Sequence, residues 1–599
     1  DAVSGKLILV DDGADTLADG RSGSIRDACE PLPDDDAFAD AIALIERGGC
    51  DFQDKLQRVE AAGAIGAIVY NTTGGPIVMN GDSGSAGIPA VMIGASDGQR
   101  LVDRLVDGAG IEIRLLAGVF LERSEQGNQM AAFSSRGPSL SEPDFLKPDI
   151  TAPGVDILAG HTPDVANGLR GELFQYLSGT SMAAPEVAGI AALLKEAHPD
   201  WSAGMLKSAL STSAHDGIVS SSGNRGADPF EAGSGHVDPN EAADPGLVYD
   251  SDLFDHAAFL CGLRYPPFVA EDCDLLAEAG YSFSPRELNL PSIGVSRLIT
   301  GDVVTRRVTN VGPAGTYQAE VAAPPGIDVI VTPSTLSLGT GESANFSVEF
   351  IGRGAGLDTW AFGELNWSDG ERNVRSPIAV QPVTLRAPER VTLTGSGGSF
   401  PVPISFGYDG DYFTGIHGLR AAYIEQGFVD EDEANAFSFR FDDGVTVHMI
   451  DVPPDQLYAR FALFDDSTDG ADDLDLYLFH CPDNDCVQVA ESGGFTSEEE
   501  INLILPEPGL YAVLVHGFET DPAGGGAGSN YELFAWSVGL GDFVGNMSVA
   551  APSTVSDGDH YELDLAWSGL APATHYLGAL SHNTPSGIYS LSIVDIRTP

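Results

Sequence analysis

The chain has 599 residues, with 88 aspartates and glutamates against 30 lysines and arginines, so its formal net charge is −58. An excess of negative charge this large repels nucleic acid and anionic membrane surfaces, which excludes both as partners. The length exceeds that of one domain and predicts several, and a hydrophobic content of 43% is typical of folded protein. Two explanations of the charge stay open: a saline habitat, where salt screens surface carboxylates, and a composition bias with a few calcium sites.

The first 120 residues or so alternate short apolar runs with a helix-like stretch. The strand-like runs lie at 6–10, 43–45, 67–70 and 91–93, and the helix-like stretch lies around 55–62. This alternation is typical of an α/β unit. The sequence shows no cluster of titratable residues here.

The six cysteines fall into three couples that are close in sequence: Cys29 with Cys50, Cys261 with Cys273, and Cys481 with Cys486. Six cysteines allow about 15 connectivities, and the sequence does not choose among them. No CxxC spacing occurs, which argues against a zinc ribbon. We favour local disulfides over free thiols, and because local disulfides are typical of exported proteins we expect a secreted, extracellular protein.

The sharpest motif is Ser178-Gly-Thr-Ser-Met-Ala-Ala-Pro-Glu-Val-Ala-Gly189. A glycine-containing turn is predicted to deliver Ser181 to the start of a helix, with Pro185 in the first turn. Val187, Ile190, Ala191 and Leu194 recur at helical spacing, which predicts one buried face. A serine at a helix start has free backbone N–H groups nearby that favour an oxyanion, although such a serine is more often a simple cap.

This motif resembles the nucleophile signature of subtilisin-like serine proteases (subtilases), usually written GTSMAxPHVAG. Two companion segments precede it in the family's order, Phe133-Ser-Ser-Arg-Gly-Pro138 and Lys147-Pro-Asp-Ile-Thr-Ala-Pro-Gly154. The resemblance implies that Ser181 is the nucleophile of a serine endopeptidase that forms an acyl-enzyme and needs no cofactor for its chemistry. It also implies a partial α/β catalytic domain with a mostly parallel sheet. The departure is Glu186, where the family has histidine.

The resemblance also implies a catalytic Asp, a catalytic His and an oxyanion Asn, in that order, before the serine. The first histidine here is His161, and His198, His215 and His236 follow Ser181, so we interpret all four as surface or packing residues. We expect the family's three elements upstream of this chain and expect residues 1–599 to be inactive alone. The alternative is a secreted, non-catalytic binding protein on a dead protease scaffold.

A second candidate nucleophile is Ser83 in Gly81-Asp-Ser-Gly84, which has the form of the trypsin-like nucleophile tetrapeptide. That family needs a histidine well upstream of the serine, and none precedes residue 161. We therefore interpret Gly81 to Gly87 as a polar loop.

From about residue 286 onward, short β-branched runs between Gly, Pro and Asp residues predict stacked β-sandwiches, so the whole chain is multidomain α/β plus all-β. Arg47-Gly-Gly-Cys-Asp-Phe52 resembles the protease-associated (PA) insert, Arg306-Arg-Val-Thr-Asn-Val-Gly312 a fibronectin-III-like domain, and Asp472-Asp-Leu-Asp-Leu-Tyr-Leu478 a bacterial prepeptidase C-terminal β-sandwich. The expected domains are a PA insert (1–121), the C-terminal part of the catalytic domain (122–285), a fibronectin-III-like sandwich (286–385), a linker or β segment (386–432), a prepeptidase C-terminal-like sandwich (433–540) and a small β module (541–599).

An acidic cluster in the penultimate domain is a candidate calcium site. Asp472, Asp473 and Asp475 supply several carboxylates, which hard cations prefer, but their spacing does not fit an EF-hand. A solvated acidic face is the alternative. We expect protein or peptide substrates and a monomer.

Overall fold

The computed structural model describes residues 3–14, 23–32, 36–73, 76, 79, 87–116, 127–160, 162, 173–263, 268, 270–432, 437, 444–482, 486–520 and 528–599. The chain divides into two compact units. One unit comprises 1–296, 301–355 and 360–381, and the other comprises 297–300, 356–359 and 382–599. No helix in the described ranges is long and apolar enough to cross a membrane.

The first unit begins with a five-stranded sheet in the order β4-β3-β2-β1-β5, parallel except for β5. Its elements are β1 (Val3–Leu9), β2 (Ala41–Glu46), α1 (Phe52–Ala61), β3 (Gly66–Tyr70), β4 (Ala90–Ile93), α2 (Ala95–Val106) and β5 (Glu112–Leu115). The two central strands are almost wholly apolar and buried, as parallel strands covered on both faces are. Helix α2 packs so closely on β3 that a Cβ on Gly98 would stand 2.2 Å from the Tyr70 Cβ.

The middle of the first unit is mostly helical. Its elements are β6 (Ile157–Gly160), β7 (Phe174–Leu177), α3 (Thr180–Ala197), α4 (Ala203–Thr212), α5 (Pro229–Ala232), α6 (Pro239–Ala242), β8 (Leu247–Val248), α7 (Leu253–Cys261) and α8 (Ala270–Glu278). Strands β6 and β7 form an antiparallel pair that leads directly into α3. Among the described segments of this unit, the parallel strand ladders lie in residues 3–115, and the helical middle contributes single parallel bridges between Gln129 and Val219 and between Thr151 and His236.

A β-sandwich completes the first unit. Its strands are β9 (Ile293–Leu298), β10 (Gly301–Asn310), β11 (Gly315–Ala322), β12 (Ile327–Thr332), β13 (Thr335–Leu338), β14 (Ser343–Gly352), β15 (Ala361–Ser368) and β16 (Asn373–Pro382). The sheets have the orders β12-β14-β10-β8 and β13-β11-β15-β16-β9. Because β8 precedes the sandwich in the chain and still joins one of its sheets, the helical segment and the sandwich share backbone pairing.

The second unit contains a sandwich built from two distant stretches of sequence. Its strands are β17 (Leu385–Arg386), β18 (Arg390–Thr394), β19 (Gly398–Phe406), β20 (Gly410–Asp411), β21 (Phe413–Ala421), β30 (Met547–Ala550), β31 (Thr554–Val555), β32 (His560–Trp567), β33 (His575–Thr584) and β34 (Gly587–Arg597). The main sheets are β17-β19-β32-β30 and β18-β34-β33-β21, around one apolar core. The residues expected as a linker or β segment (386–432) and those expected as a small terminal module (541–599) thus contribute strands to the same sandwich.

The intervening residues form another sandwich. Its strands are β22 (Tyr423–Val429), β23 (Val445–Val452), β24 (Gln456–Ala462), β25 (Asp473–His480), β26 (Val487–Ser492), β27 (Glu500–Ile504), β28 (Gly509–Glu519) and β29 (Ser529–Gly539). The sheets β22-β29-β24-β27 and β23-β28-β25-β26 enclose a core of alternating apolar residues. The multidomain α/β plus all-β class predicted from the sequence is confirmed.

All three disulfides join the couples that are neighbours in sequence: Cys29–Cys50, Cys261–Cys273 and Cys481–Cys486. The expectation of local disulfides is therefore confirmed.

Candidate active site

A short loop contact holds the turn that precedes Ser181. The Gly179 N–H donates to the Gly154 carbonyl at 2.8 Å, and the Asp156 N–H donates to Ser178 Oγ at 2.8 Å. A Cβ on Gly154 would lie 2.9 Å from the Gly179 carbonyl oxygen, so only glycine lets the two backbones approach this closely. The segment that ends in Gly154 therefore fixes the start of α3.

Ser181 is the second residue of α3 and is exposed to solvent. Its Oγ makes no hydrogen bond to any residue that the structure describes. The first N–H groups of a helix lack intrahelical partners and carry the positive end of the helix dipole. The geometry therefore presents a hydroxyl and nearby N–H donors on an open surface.

Pro185 lies deeper in α3 than its sequence position suggested. The helix begins at Thr180, which makes Pro185 its sixth residue and places it beyond the first turn, so that detail of the prediction was wrong. Because proline has no N–H, the Ser181 carbonyl four residues earlier lacks its usual helical donor. The helix is thus locally weakened next to the candidate nucleophile.

One face of α3 packs into a small core, as its periodicity predicted. Leu194 is buried, and Val187, Ile190 and Ala191 pack against the same cluster. The other members of the cluster come from the loop before β6, from α4 and from the region of α6: Ile150, Ala152, Leu206, Leu210, Val237 and Ala242. The predicted buried face is confirmed.

The opposite face of α3 is apolar and exposed. Leu193 is 65% exposed, and Ala184, Ala188 and Ala192 are exposed beside it. The neighbouring β6–β7 pair also exposes large apolar side chains, including Phe174 at 66%. Large exposed apolar patches are typical of surfaces that bind another polypeptide.

The second companion segment contributes Ile150 and Ala152 to the core below α3. Asp149 pairs with Lys147 at 2.6 Å and with Lys207 of α4 at 2.9 Å. Burial would raise the pKa of Asp149, but the two lysines outweigh burial and hold this pKa below its usual value. The Thr151 N–H donates to the Gly235 carbonyl at 2.8 Å, so the segment 147–154 is bound to the stretch that ends at 237.

The histidines that follow Ser181 make contacts elsewhere. His198 stacks on Trp201 with ring centroids 3.8 Å apart, and its Nε2 lies 3.0 Å from the Ala243 carbonyl oxygen. His215 and His236 stack on each other with ring centroids 5.0 Å apart. None of these rings hydrogen-bonds to Ser181. His161 and the Ser83 tetrapeptide lie outside the described residues.

Two of the three aspartates predicted as a calcium site have separate partners, and Asp473 Oδ1 is buried without a hydrogen-bond partner among the described residues. Asp472 accepts a hydrogen bond from Ser529 Oγ at 2.6 Å, and Asp475 Oδ2 lies 3.4 Å from His516 Nδ1. Burial, with the charge of Asp475 next, raises the pKa of Asp473 to about 6. Within the described part of the chain these carboxylates are not among the groups close enough to share one ion. Calcium at this cluster stays a prediction.

A different acidic group, which the sequence interpretation missed, lies in the first sheet domain. One ligand oxygen each from Asp12, Asp27 and Glu30 lies within 4.8 Å of the others. The interpretation that residues 1–120 contain no titratable cluster was wrong, because these residues are separated in sequence and only the fold brings them together.

Comparisons with known proteins agree with these segments. Residues 57–235 match the subtilase family, residues 3–101 the PA domain and residues 287–380 a fibronectin type-III domain. The chain is 38% identical over 377 residues to subtilisin-like protease SBT1.4 of Arabidopsis thaliana, covering 57% of this chain and 47% of that protein. It is also 38% identical over 358 residues to SBT5.4 of the same plant, covering 57% and 45%.

The chain spans about half the length of the curated relatives that it matches. Among solved structures, the match to the crystal structure of tripeptidyl peptidase 2 covers 84% of this chain and 37% of that protein's chain. The sequence identity is 11% and the TM-score is 0.22, so this match carries no argument. The family matches and the curated relatives carry the assignment. Residues 57–235 therefore resemble the subtilase family, and segments that match a PA domain and a fibronectin type-III domain accompany them in the same chain.

Proposed function

We propose that this chain supplies the nucleophile of a serine endopeptidase, with Ser181 attacking the carbonyl carbon of a peptide bond. The observation that carries the proposal is the exposed Ser181 hydroxyl at the start of α3. The similarity of the surrounding residues to subtilisin-like proteases supports it.

The chemistry requires a base, because a serine hydroxyl is a weak nucleophile at neutral pH. A histidine oriented by an aspartate takes the Oγ proton as Oγ attacks, and the same histidine gives this proton to the leaving amine. The Ser181 N–H and an asparagine side chain hold the oxyanion, and water then hydrolyses the ester on Ser181.

We assign the Asp, the His and the oxyanion Asn to polypeptide other than residues 1–599. Two observations support this assignment. The described histidines nearest in sequence are engaged with Trp201, with the Ala243 carbonyl and with each other. The exposed apolar face of α3 and the β6–β7 pair needs a covering partner, and the remainder of a catalytic domain fits that need. The isolated chain is then inactive.

The setting of the reaction is extracellular. The three disulfides in the chain are stable only in an oxidising compartment, which supports secretion. The substrates are proteins or peptides, and the chemistry needs no cofactor.

Active-site labelling tests the proposal. A fluorophosphonate probe, followed by mass spectrometry of the labelled peptide, is applied to residues 1–599 alone and to the full-length protein. We expect labelling of Ser181 in the full-length protein only, loss of labelling in Ser181→Ala, and unchanged labelling in Ser83→Ala.

The opposite outcomes are equally clear. Labelling that persists in Ser181→Ala, or that moves to Ser83, would refute the assignment of the nucleophile. Labelling of the isolated chain would refute the external base. A full-length protein that is never labelled would favour the binding protein on a dead scaffold.

A further inference from the structure

The first sheet domain contains a group of three carboxylates that the peptidase proposal does not use. Asp12 follows β1, and its N–H donates to the Ile25 carbonyl at 2.9 Å. This contact brings the segment after β1 against the segment that carries Asp27 and Glu30. One carboxylate oxygen from each of the three residues lies within 4.8 Å of the other two.

The three carboxylates are largely buried, but not all of their oxygens accept a hydrogen bond. Asp12 is 7% exposed and Asp27 1% exposed, and Glu30 is partly buried. Asp27 is held in place because its oxygens accept from the Cys29 and Ser24 N–H groups, both at 2.9 Å. Asp12 Oδ2 and Glu30 Oε2 are buried and have no hydrogen-bond partner among the residues that the structure describes. Buried acceptors without partners are costly, and two of them belong to residues of this group.

The neighbouring lysine does not offset this charge by direct pairing. Lys55 is fully buried, and its Nζ donates to the carbonyls of Asp27 and Gly48 and contacts Cys29 Sγ at 3.2 Å. These three contacts use all three ammonium protons. Burial raises the pKa of Asp12 and of Glu30, and the charges of the other acidic groups raise both further.

We propose that Asp12, Asp27 and Glu30 bind one calcium ion, which joins the segment after β1 to the disulfide-linked segment around Cys29. The donor set consists of carboxylate oxygens without histidine or thiolate, which suits a hard cation rather than zinc. Magnesium retains several waters and binds through one or two carboxylates, whereas three converging carboxylates, two of them from buried residues, suit calcium. This site is independent of the peptidase chemistry at Ser181.

Calorimetric titration of the whole chain with CaCl2, after removal of bound ions with EDTA, tests the site. We compare wild type, Asp12→Asn/Glu30→Gln and the control Asp473→Asn/Asp475→Asn, which alters the acidic cluster of the second unit. We expect the control to keep one saturable site of wild-type affinity. The Asp12/Glu30 variant should lose it or bind at least roughly 100-fold more weakly, because ligand charge sets calcium affinity. Wild-type affinity in the Asp12/Glu30 variant would overturn the proposal.

Thermal unfolding of the single variant Asp12→Asn provides a readout that a purely structural role would not give. Without calcium, the substitution removes a buried charge that repels Asp27 and Glu30, so we expect an unchanged or higher Tm than wild type. With saturating calcium, we expect the Tm of wild type to rise and that of the variant to stay constant. MgCl2 at equal ionic strength should not reproduce the rise. A variant that is less stable than wild type by the same amount in EDTA and in calcium would show that Asp12 is only structural and would overturn the site.

Discussion

At the scale of the residue, Ser181 combines an exposed hydroxyl with a carbonyl that lacks its helical donor. The donor is missing because Pro185 occupies the position four residues later. The helix is therefore held at this point by packing of Val187, Ile190 and Leu194 rather than by its full set of backbone bonds. The Ser181 backbone can therefore shift slightly when substrate binds, because its carbonyl has no helical hydrogen bond to break.

A buried histidine in the second unit makes stability depend on pH. His582 is 0% exposed, with Nδ1 2.6 Å from Tyr412 Oη and Nε2 2.8 Å from Ser592 Oγ. Burial lowers its pKa to about 4 from an ordinary value of 6.5. Between these values the unfolded chain binds a proton that the folded chain does not, so the free energy of unfolding rises with pH up to about 6.5. This stability is lost as pH falls towards 4, and the full loss is about 3 kcal/mol.

The measurement is urea unfolding of wild type and His582→Gln between pH 4 and pH 7.5. We expect the difference between the two proteins to shrink as pH falls, because glutamine has no proton to gain. His560→Gln is the matched control, since His560 also bonds to a serine, Ser405 at 2.7 Å, but is exposed. A constant difference between wild type and His582→Gln across this range contradicts the prediction.

At the scale of the element, the start of α3 depends on the close approach of two backbones. Gly154→Ala would place a Cβ 2.9 Å from the Gly179 carbonyl oxygen and force the turn before Ser181 to shift. We expect it to lower the free energy of unfolding of the first unit by about 1 to 3 kcal/mol, the range for an inserted methyl group in a packed site.

Gly189→Ala in the same helix is the control for Gly154→Ala. A Cβ there meets nothing within 4 Å, so alanine should stabilise the helix interior by about 0.5 to 1 kcal/mol. Both changes are measured by guanidinium unfolding of the chain. If both substitutions changed the free energy of unfolding in the same direction, the idea that the contact between Gly154 and Gly179 fixes the turn would be wrong.

Helix α3 and its buried face could be predicted because they depend on residues three or four positions apart. The sandwich of β17–β21 with β30–β34 could not, because its sheets pair residues that are far apart in sequence, such as Val402 with Leu563. Local patterning predicts that a strand exists, but it does not select the partner strand.

The two candidate sites also differ in whether the sequence alone could identify them. Ser181 lies in a contiguous motif, so the sequence alone identified it. Asp12, Asp27 and Glu30 are three of 88 acidic residues in the chain, and nothing in their spacing distinguishes them from a solvated surface. The fold places them together, and the contact between the Asp12 N–H and the Ile25 carbonyl is part of that arrangement.

At the scale of the whole molecule, a formal net charge of −58 opposes the compact state, because like charges are closer together when the chain is folded. Added salt shortens the screening length from about 10 Å at 0.1 M to about 3 Å at 1 M. We therefore expect NaCl to raise Tm in differential scanning calorimetry by several degrees over this range at pH 8. At pH 4, where many carboxylates are protonated, the rise should be much smaller, which separates screening from general effects of salt on hydration. A rise of equal size at both pH values would mean that repulsion between carboxylates does not limit the stability of this chain.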